Sequence, residues 1–144
     1  MKYPKYNKGQ GTIEFALMLP ILVLVVFGVL ELGRAFFAFI AITNAAREGT
    51  RVFTFRPDVT TIANINTAVY TEIGNTPLVK TSNIAGIEIR CRNDYSVVTT
   101  NIQLQACPAE QPIRVTVSYN HELIFRLIFP QSITLRRSAE MMIP

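Results

Sequence analysis

Residues 15–30 carry no charged side chain. As a helix that run would extend about 24 Å. Continued to Arg34, it reaches roughly the 20 residues that a bilayer core requires. A short basic leader precedes it, and the rest of the chain must lie beyond a membrane or pack onto the same helix. The leader, residues 1–9, contains Lys2, Lys5 and Lys8 and no acid, and Pro4 and Gly9 oppose regular structure there. Its positive charge favours retention in the cytoplasm, giving an N-in, C-out orientation. No small-residue cleavage site comes after the apolar run, which is also longer than an ordinary signal core. The expectation is a retained single-pass anchor in the cell membrane with an extracytoplasmic C-terminal domain.

The charge distribution supports that division. The net charge is +4. Residues 1–52 hold six Lys or Arg against three Glu, and residues 53–144 hold eight against seven acids. The basic excess therefore sits near the membrane. No basic patch interleaved with aromatics marks a nucleic-acid surface. The expected organisation is a cytoplasmic leader (residues 1–9), a transmembrane helix with an amphipathic stem (residues 10–53), and a small extracytoplasmic domain (residues 54–144).

Glu14 stands just ahead of the apolar run, between Ile13 and Phe15. An isolated carboxylate is costly in lipid, so such a residue sits at the interface or has a partner. One reading is an interfacial Glu that helps start the helix, where the macrodipole favours negative charge. The other is a carboxylate that meets a cation from another chain. Pro20 removes one backbone hydrogen bond inside the helix and is expected to kink it, which membrane helices tolerate. Glu31 and Arg34 are three apart and share a helix face, as a pair at the membrane exit. Arg34 can extend its head to water.

The stretch Gly9-Gln10-Gly11-Thr12-Ile13-Glu14-Phe15, behind lysines and ahead of an apolar helix, resembles the processing site of type IV pilin-like proteins. In those proteins a prepilin peptidase cuts after the Gly and leaves Glu as the fifth mature residue. The resemblance implies cleavage between Gly9 and Gln10, and pairing of the new amine with Glu14 of a neighbouring subunit. Further along, Glu14-Phe15-Ala16-Leu17, Pro20, Glu31-Leu32-Gly33-Arg34 and Asn44-Ala45-Ala46-Arg47-Glu48-Gly49-Thr50-Arg51 resemble the TadE-like family. These are single-span, pseudopilin-like proteins of tight-adherence (Tad) pilus systems, a type IVc class. The resemblance covers about residues 8–53. It extends loosely to the C-terminal region, where Val115, Pro130 and Ile133 echo a strand, a break and a final strand. It implies a pilin-like α+β fold, and partners that include membrane lipid, other pilin-like subunits, the Tad assembly machinery and a prepilin peptidase.

Beyond Arg34 the helical period continues. Phe39, Ile42, Ala46, Gly49 and Phe53 recur at spacings of three and four and form an apolar face. Asn44, Arg47 and Arg51 fall on another face. Arg47, Glu48 and Arg51 are either solvated or a face for a partner. Ala and Gly on the apolar side permit close approach of another element. Pro57 ends the pattern. A second helix is expected over residues 58–74, with Asp58 as N-cap and Gly74 as stop. Its apolar stripe is Ile62, Ile65, Val69 and Ile73, and Asn75-Thr76-Pro77 is a turn.

From Ile84 the period changes to two, through Ile87 and Ile89 into Cys91. A strand is expected within residues 95–104, unless Thr99-Thr100-Asn101 is its turn. Pro108 and Pro112 bound a loop. Ile113, Val115, Val117 and Tyr119 alternate cleanly with polar residues, the clearest strand in the chain. Residues 123–129 are apolar apart from Arg126 and end at Pro130, and Ile133 and Leu135 begin a last strand with Arg136 and Arg137 exposed. The fold class is therefore α+β: a long N-terminal helix, then a small antiparallel sheet with one further helix.

Cys91 and Cys107 fall in the domain. If it is translocated they should form a disulfide closing a loop of about 15 residues, which contributes about 3 kcal/mol. In a reducing compartment they would be two thiols. Two cysteines and the lone His121 lack the close spacing of a zinc site. His121, beside Asn120 and Glu122, reads as a surface or turn residue. No phosphate loop, nucleophile elbow or metal spacing is present, so neither an enzyme nor a cofactor is expected. The resemblance to the TadE-like family implies a minor pilin or pseudopilin. The alternatives are a permanently anchored structural or adhesion protein, which would keep residues 1–9, and a membrane-tethered enzyme, which would need a convergent cluster.

Overall fold

The computed structural model describes residues 9–91, 96–124 and 131–144. The expectations for the leader up to Lys8, for Tyr95 and for residues 125–130 lie outside these. The architecture is α+β. Helix α1 (Gln10–Phe55) comes first, then α2 (Ile62–Gly74), a 3-10 turn (Thr81–Asn83), β1 (Ile84–Cys91), β2 (Ser96–Val97), α3 (Asn101–Gln105), β3 (Pro112–Glu122) and β4 (Ser132–Met142). The chain divides into two compact units, Met1–Gly33 and Arg34–Pro144.

In the first unit the described chain is helix from Gln10, and Pro20 lies inside it. Its apolar side chains are exposed on all sides, from Ile13 through Leu32. The most apolar window of α1 has a mean hydropathy of 2.7, and none of it is buried. A helix apolar all round and unburied by its own chain suits a lipid or helix-bundle environment.

The second unit has its own core. The helix from Arg34 onward buries Ala38, Ala41, Ile42, Ala45, Ala46, Gly49 and Phe53 and leaves Asn44, Arg47 and Arg51 exposed. The expected amphipathic stem is therefore present, with Phe39 at its half-buried margin. Pro57 disfavours helix at Arg56, and α1 stops at Phe55. Helix α2 buries Ile65, Val69 and Ile73. Its start differs from expectation: the N-cap is Thr61, not Asp58. Thr61 Oγ1 accepts from Asn64 N–H while Asn64 Oδ1 accepts from Thr61 N–H. Reciprocal capping satisfies two otherwise orphan donors, and Asp58 is left in a turn.

The sheet is antiparallel throughout, in the order β2-β1-β3-β4. Register pairs Ile89 with Val115 and Val115 with Ala139. One face of β3, namely Ile113, Val115, Val117 and Tyr119, is buried in the core with α1 and α2. Pro112 opens β3, a position where its missing N–H is tolerated. Thr50, fully buried, donates its hydroxyl to Ala46 O at 2.8 Å and lies 3.4 Å from Ala139 O, linking α1 to β4.

Two further expectations are corrected. Among the described residues of 95–104 the strand covers Ser96–Val97, and the chain then turns into α3 at the alternative turn Thr99-Thr100-Asn101. Thr100 caps α3, and Gln103 Oε1 accepts from the N–H of Thr99 and of Thr100. That local hydrogen bonding outcompetes extension. His121 is no surface residue: it lies in β3 and is 4 % exposed, on the same face as Tyr119.

Gly49 marks a close approach of α1 to the rest of this core. A Cβ there would stand 2.9 Å from Val69 Cγ2 and 3.3 Å from both Ile65 Cγ2 and Val115 Cγ1. Gly→Ala in a helix normally gains up to about 1 kcal/mol, whereas overpacking costs about 1–3 kcal/mol. Gly49→Ala is expected to destabilise by about 1 kcal/mol net, and Val69→Ala, which removes the nearest methyl, to suppress that overpacking loss. A double-mutant cycle on thermal unfolding of the full chain in detergent checks this. A higher midpoint for Gly49→Ala alone would refute it.

Candidate functional site

The residues of functional interest lie mainly along α1. Gly9 is exposed and precedes the helix, and its carbonyl accepts the Ile13 N–H at 3.2 Å. Gln10 is the first helical residue, so the expected processing point coincides with the helix start. Glu14 is exposed one turn further on. In sequence it stands between Ile13 and Phe15, and a carboxylate carried into lipid needs a cation or hydrogen-bond donors to offset its desolvation. Pro20 lies six residues beyond Glu14, and Glu31 eleven beyond that, so these three do not converge on one point. Glu31 and Arg34 are both half-buried.

On the stem, Glu48 and Arg51 come together. Arg51 Nε and Nη2 donate to the two carboxylate oxygens of Glu48 at 2.8 and 2.6 Å. This fork of hydrogen bonds, with the guanidinium charge, holds the Glu48 carboxyl below its usual range. Arg47 is exposed beside them. The pair is exposed and i, i+3 in spacing, so its contribution to stability is small. Cys91 and Cys107 are joined by a disulfide with Cα atoms 5.9 Å apart. It ties the end of β1 to the segment after α3.

The sequence reading missed the outward face of the sheet. Glu88 Oε2 accepts from Arg90 at 3.0 Å and from Arg136 at 2.7 Å, and Arg114 donates to Glu140 at 2.8 Å. Arg90, Arg114 and Arg136 border an open groove of about 420 Å³. Strand alternation alone assigns them to one face. Their pairing needs the register β1-β3-β4, which the sequence does not state. Arg137 lies 3.9 Å over the Phe39 ring, a cation–π contact between β4 and the stem. Among the described residues no three His, Cys, Asp or Glu side chains are placed to hold a metal.

This arrangement offers a scaffold: an apolar helix with a carboxylate near its start, and a folded domain held on its C-terminal half. Residues 9–51, just under a third of the chain, match the family model described as TadE-like protein. No curated protein and no solved structure matches the chain. The match begins at Gly9 and ends at Arg51, taking in the apolar helix and the stem, and over that segment the chain is similar to TadE-like proteins.

Proposed function

We propose that this chain is a minor pilin or pseudopilin of a Tad (type IVc) pilus system. The observation that carries the reading is the family match, which starts at the residue preceding the helix and runs the length of the stem. In this reading the protein is structural. The apolar half of α1 is stored in the membrane and then packs among like helices, while the domain of residues 34–144 faces outward. A prepilin peptidase cuts between Gly9 and Gln10. The amine released on Gln10 pairs with Glu14 of a neighbouring subunit, and hydrocarbon offers that pair no competing partners. Such a pair would set subunit register. The disulfide supports an oxidising, extracytoplasmic location for the domain, and the lysines of the leader favour a cytoplasmic N-terminus.

The N-terminus of the protein made in its own cells tests this, by intact mass and peptide sequencing. The expected product begins at Gln10. Intact residues 1–9 in membrane-inserted protein would sink the pairing and leave a permanently anchored assembly factor. Removing one partner of a buried charge pair costs about 3–5 kcal/mol. Glu14→Ala is therefore expected to cut incorporation into filaments by at least about a hundredfold and leave membrane insertion intact. Undiminished incorporation would exclude the register role of Glu14.

A further inference from the structure

The loop of residues 75–80 displays a side chain that the fold does not use. Leu78 is 76 % exposed and adopts a left-handed backbone, φ 69°. That conformation is uncommon for a non-glycine residue. The loop is nevertheless tied down on both sides. Thr76 N–H donates to Ile73 O at 3.0 Å, Lys80 N–H donates to Tyr119 Oη at 3.2 Å, and Val79 is buried. Neighbouring Val79 turns into the core while Leu78 is held outward, so the exposure is built in by the loop's fixings.

The surroundings of Leu78 indicate what it faces. Leu78 and Lys80 line a small pocket of about 40 Å³ together with Arg34 and the end of β3 at Tyr119, His121 and Glu122. Arg34 is the first residue of the folded unit and comes directly after the apolar run in sequence. Where that run ends at a bilayer surface, Arg34 lies within about one helical turn of it. The loop shares Arg34's pocket, so it lies at the same end of the domain. An exposed Leu beside exposed Lys80 and half-buried Arg34 pairs an apolar tip with basic heads, the composition that suits an anionic headgroup layer.

We propose that the loop of residues 75–80 is a membrane-contact site of the domain: Leu78 enters the headgroup layer, and Lys80 and Arg34 meet phospholipid phosphates. The contact steadies the domain on the bilayer while the protein is held there, before any assembly. This inference rests on the membrane-spanning part of the proposed function and not on filament formation or cleavage.

The chain has no Trp, so single tryptophans report on single places. Full-length variants are reconstituted in nanodiscs of phosphatidylcholine, with or without phosphatidylglycerol, whose lipids carry bromine near the headgroup or deep in the acyl chain. Phe27→Trp reports on the span. Leu78→Trp reports on the loop. Ile102→Trp is the control: Ile102 is 81 % exposed in α3, and its neighbour Asn101 accepts the Ile62 N–H at the opposite end of α2 from the loop. Leu78→Trp is expected to emit to the blue of the control and to be quenched by shallow bromines, more strongly with phosphatidylglycerol present. Adding Lys80→Gln to Leu78→Trp should lower the attached-to-detached ratio of the loop about fivefold in the anionic discs, the effect of one basic residue at such a surface. Quenching of Phe27→Trp with Leu78→Trp no different from the control overturns the contact and leaves the span standing. Absence of quenching at both positions overturns the contact and the span together. Quenching of Leu78→Trp that ignores headgroup charge overturns the role of Lys80 and Arg34.

Discussion

Phe53→Ala is expected to lower the stability of the folded unit by about 3–5 kcal/mol, the largest effect expected of any single truncation among the described residues. Phe53 is 1 % exposed and, among the described residues, is the largest fully buried side chain. It sits one helical turn beyond Gly49, on the face of α1 that meets α2 and β3. Removing the ring leaves a void that the flanking backbone cannot close, because α1 is held on the same face by Ile42, Ala45, Ala46 and Thr50. Small domains are typically stable by about 5–15 kcal/mol, so this one change removes a large share. Phe55 is the internal control. Two residues on, it points to solvent, and Phe55→Ala should stay within about 0.5 kcal/mol. Far-UV signal is a poor readout, since residues 10–33 remain helical in detergent or lipid whatever the domain does. Tyrosine near-UV signal and hydrogen exchange of β3 amides report on the domain itself. Equal effects at Phe53 and Phe55 would refute this packing.

The contrast between Phe53 and Phe55 also shows what the sequence can say. A period of 3.6 assigns each stem residue to a face, so Ile42, Ala46, Gly49 and Phe53 are readable as the buried side and Arg47 and Arg51 as the wet side. The same holds for the period of two in β3, and for the stripe Ile65, Val69 and Ile73 of α2. Such patterns survive because burial of a whole face outweighs the preference of any one residue. Choices decided by one or two hydrogen bonds are not readable in this way. Asp58 and Thr61 are both good caps, and the reciprocal partner Asn64 selects Thr61. Residues 95–104 contain apolar residues that suit a strand, but Thr100 and Gln103 close a capping box and turn the chain. His121 is polar and so reads as wet. Strand alternation with Tyr119 is the signal that places it inside. The ion pairs across β1, β3 and β4, and the outward Leu78, depend on register and loop conformation, which no local pattern encodes.

Reduction of the Cys91–Cys107 bond is expected to cost about 3 kcal/mol, second only to loss of Phe53. The bond closes a segment with a sequence separation of 16, and the segment has little else to hold it. Within its described residues only Val98 and Leu104 are buried apolar anchors, with Val98 N–H donating to Ile89 O at 2.8 Å. Two such side chains offset ordering entropy for only a few residues. Opening the bond should therefore release β2 and α3 first, and their amides should exchange before those of β3 and β4. For a domain of this size about 3 kcal/mol lowers the melting temperature by roughly 10–20 °C. Reductant and the double variant Cys91→Ala/Cys107→Ala should both produce a shift of this size, because both remove the crosslink, the variant losing in addition the buried Cys91 sulfur. Cys91→Ser should be worse than Cys91→Ala, since residue 91 is 4 % exposed in the core and a hydroxyl there would be desolvated. A reductant-insensitive melting temperature would show that Val98 and Leu104 suffice and that the crosslink is redundant. The same pair reports topology in cells. In an extracytoplasmic domain both sulfurs resist a membrane-permeant maleimide until reductant is added, whereas a cytoplasmic domain would expose two reactive thiols once unfolded.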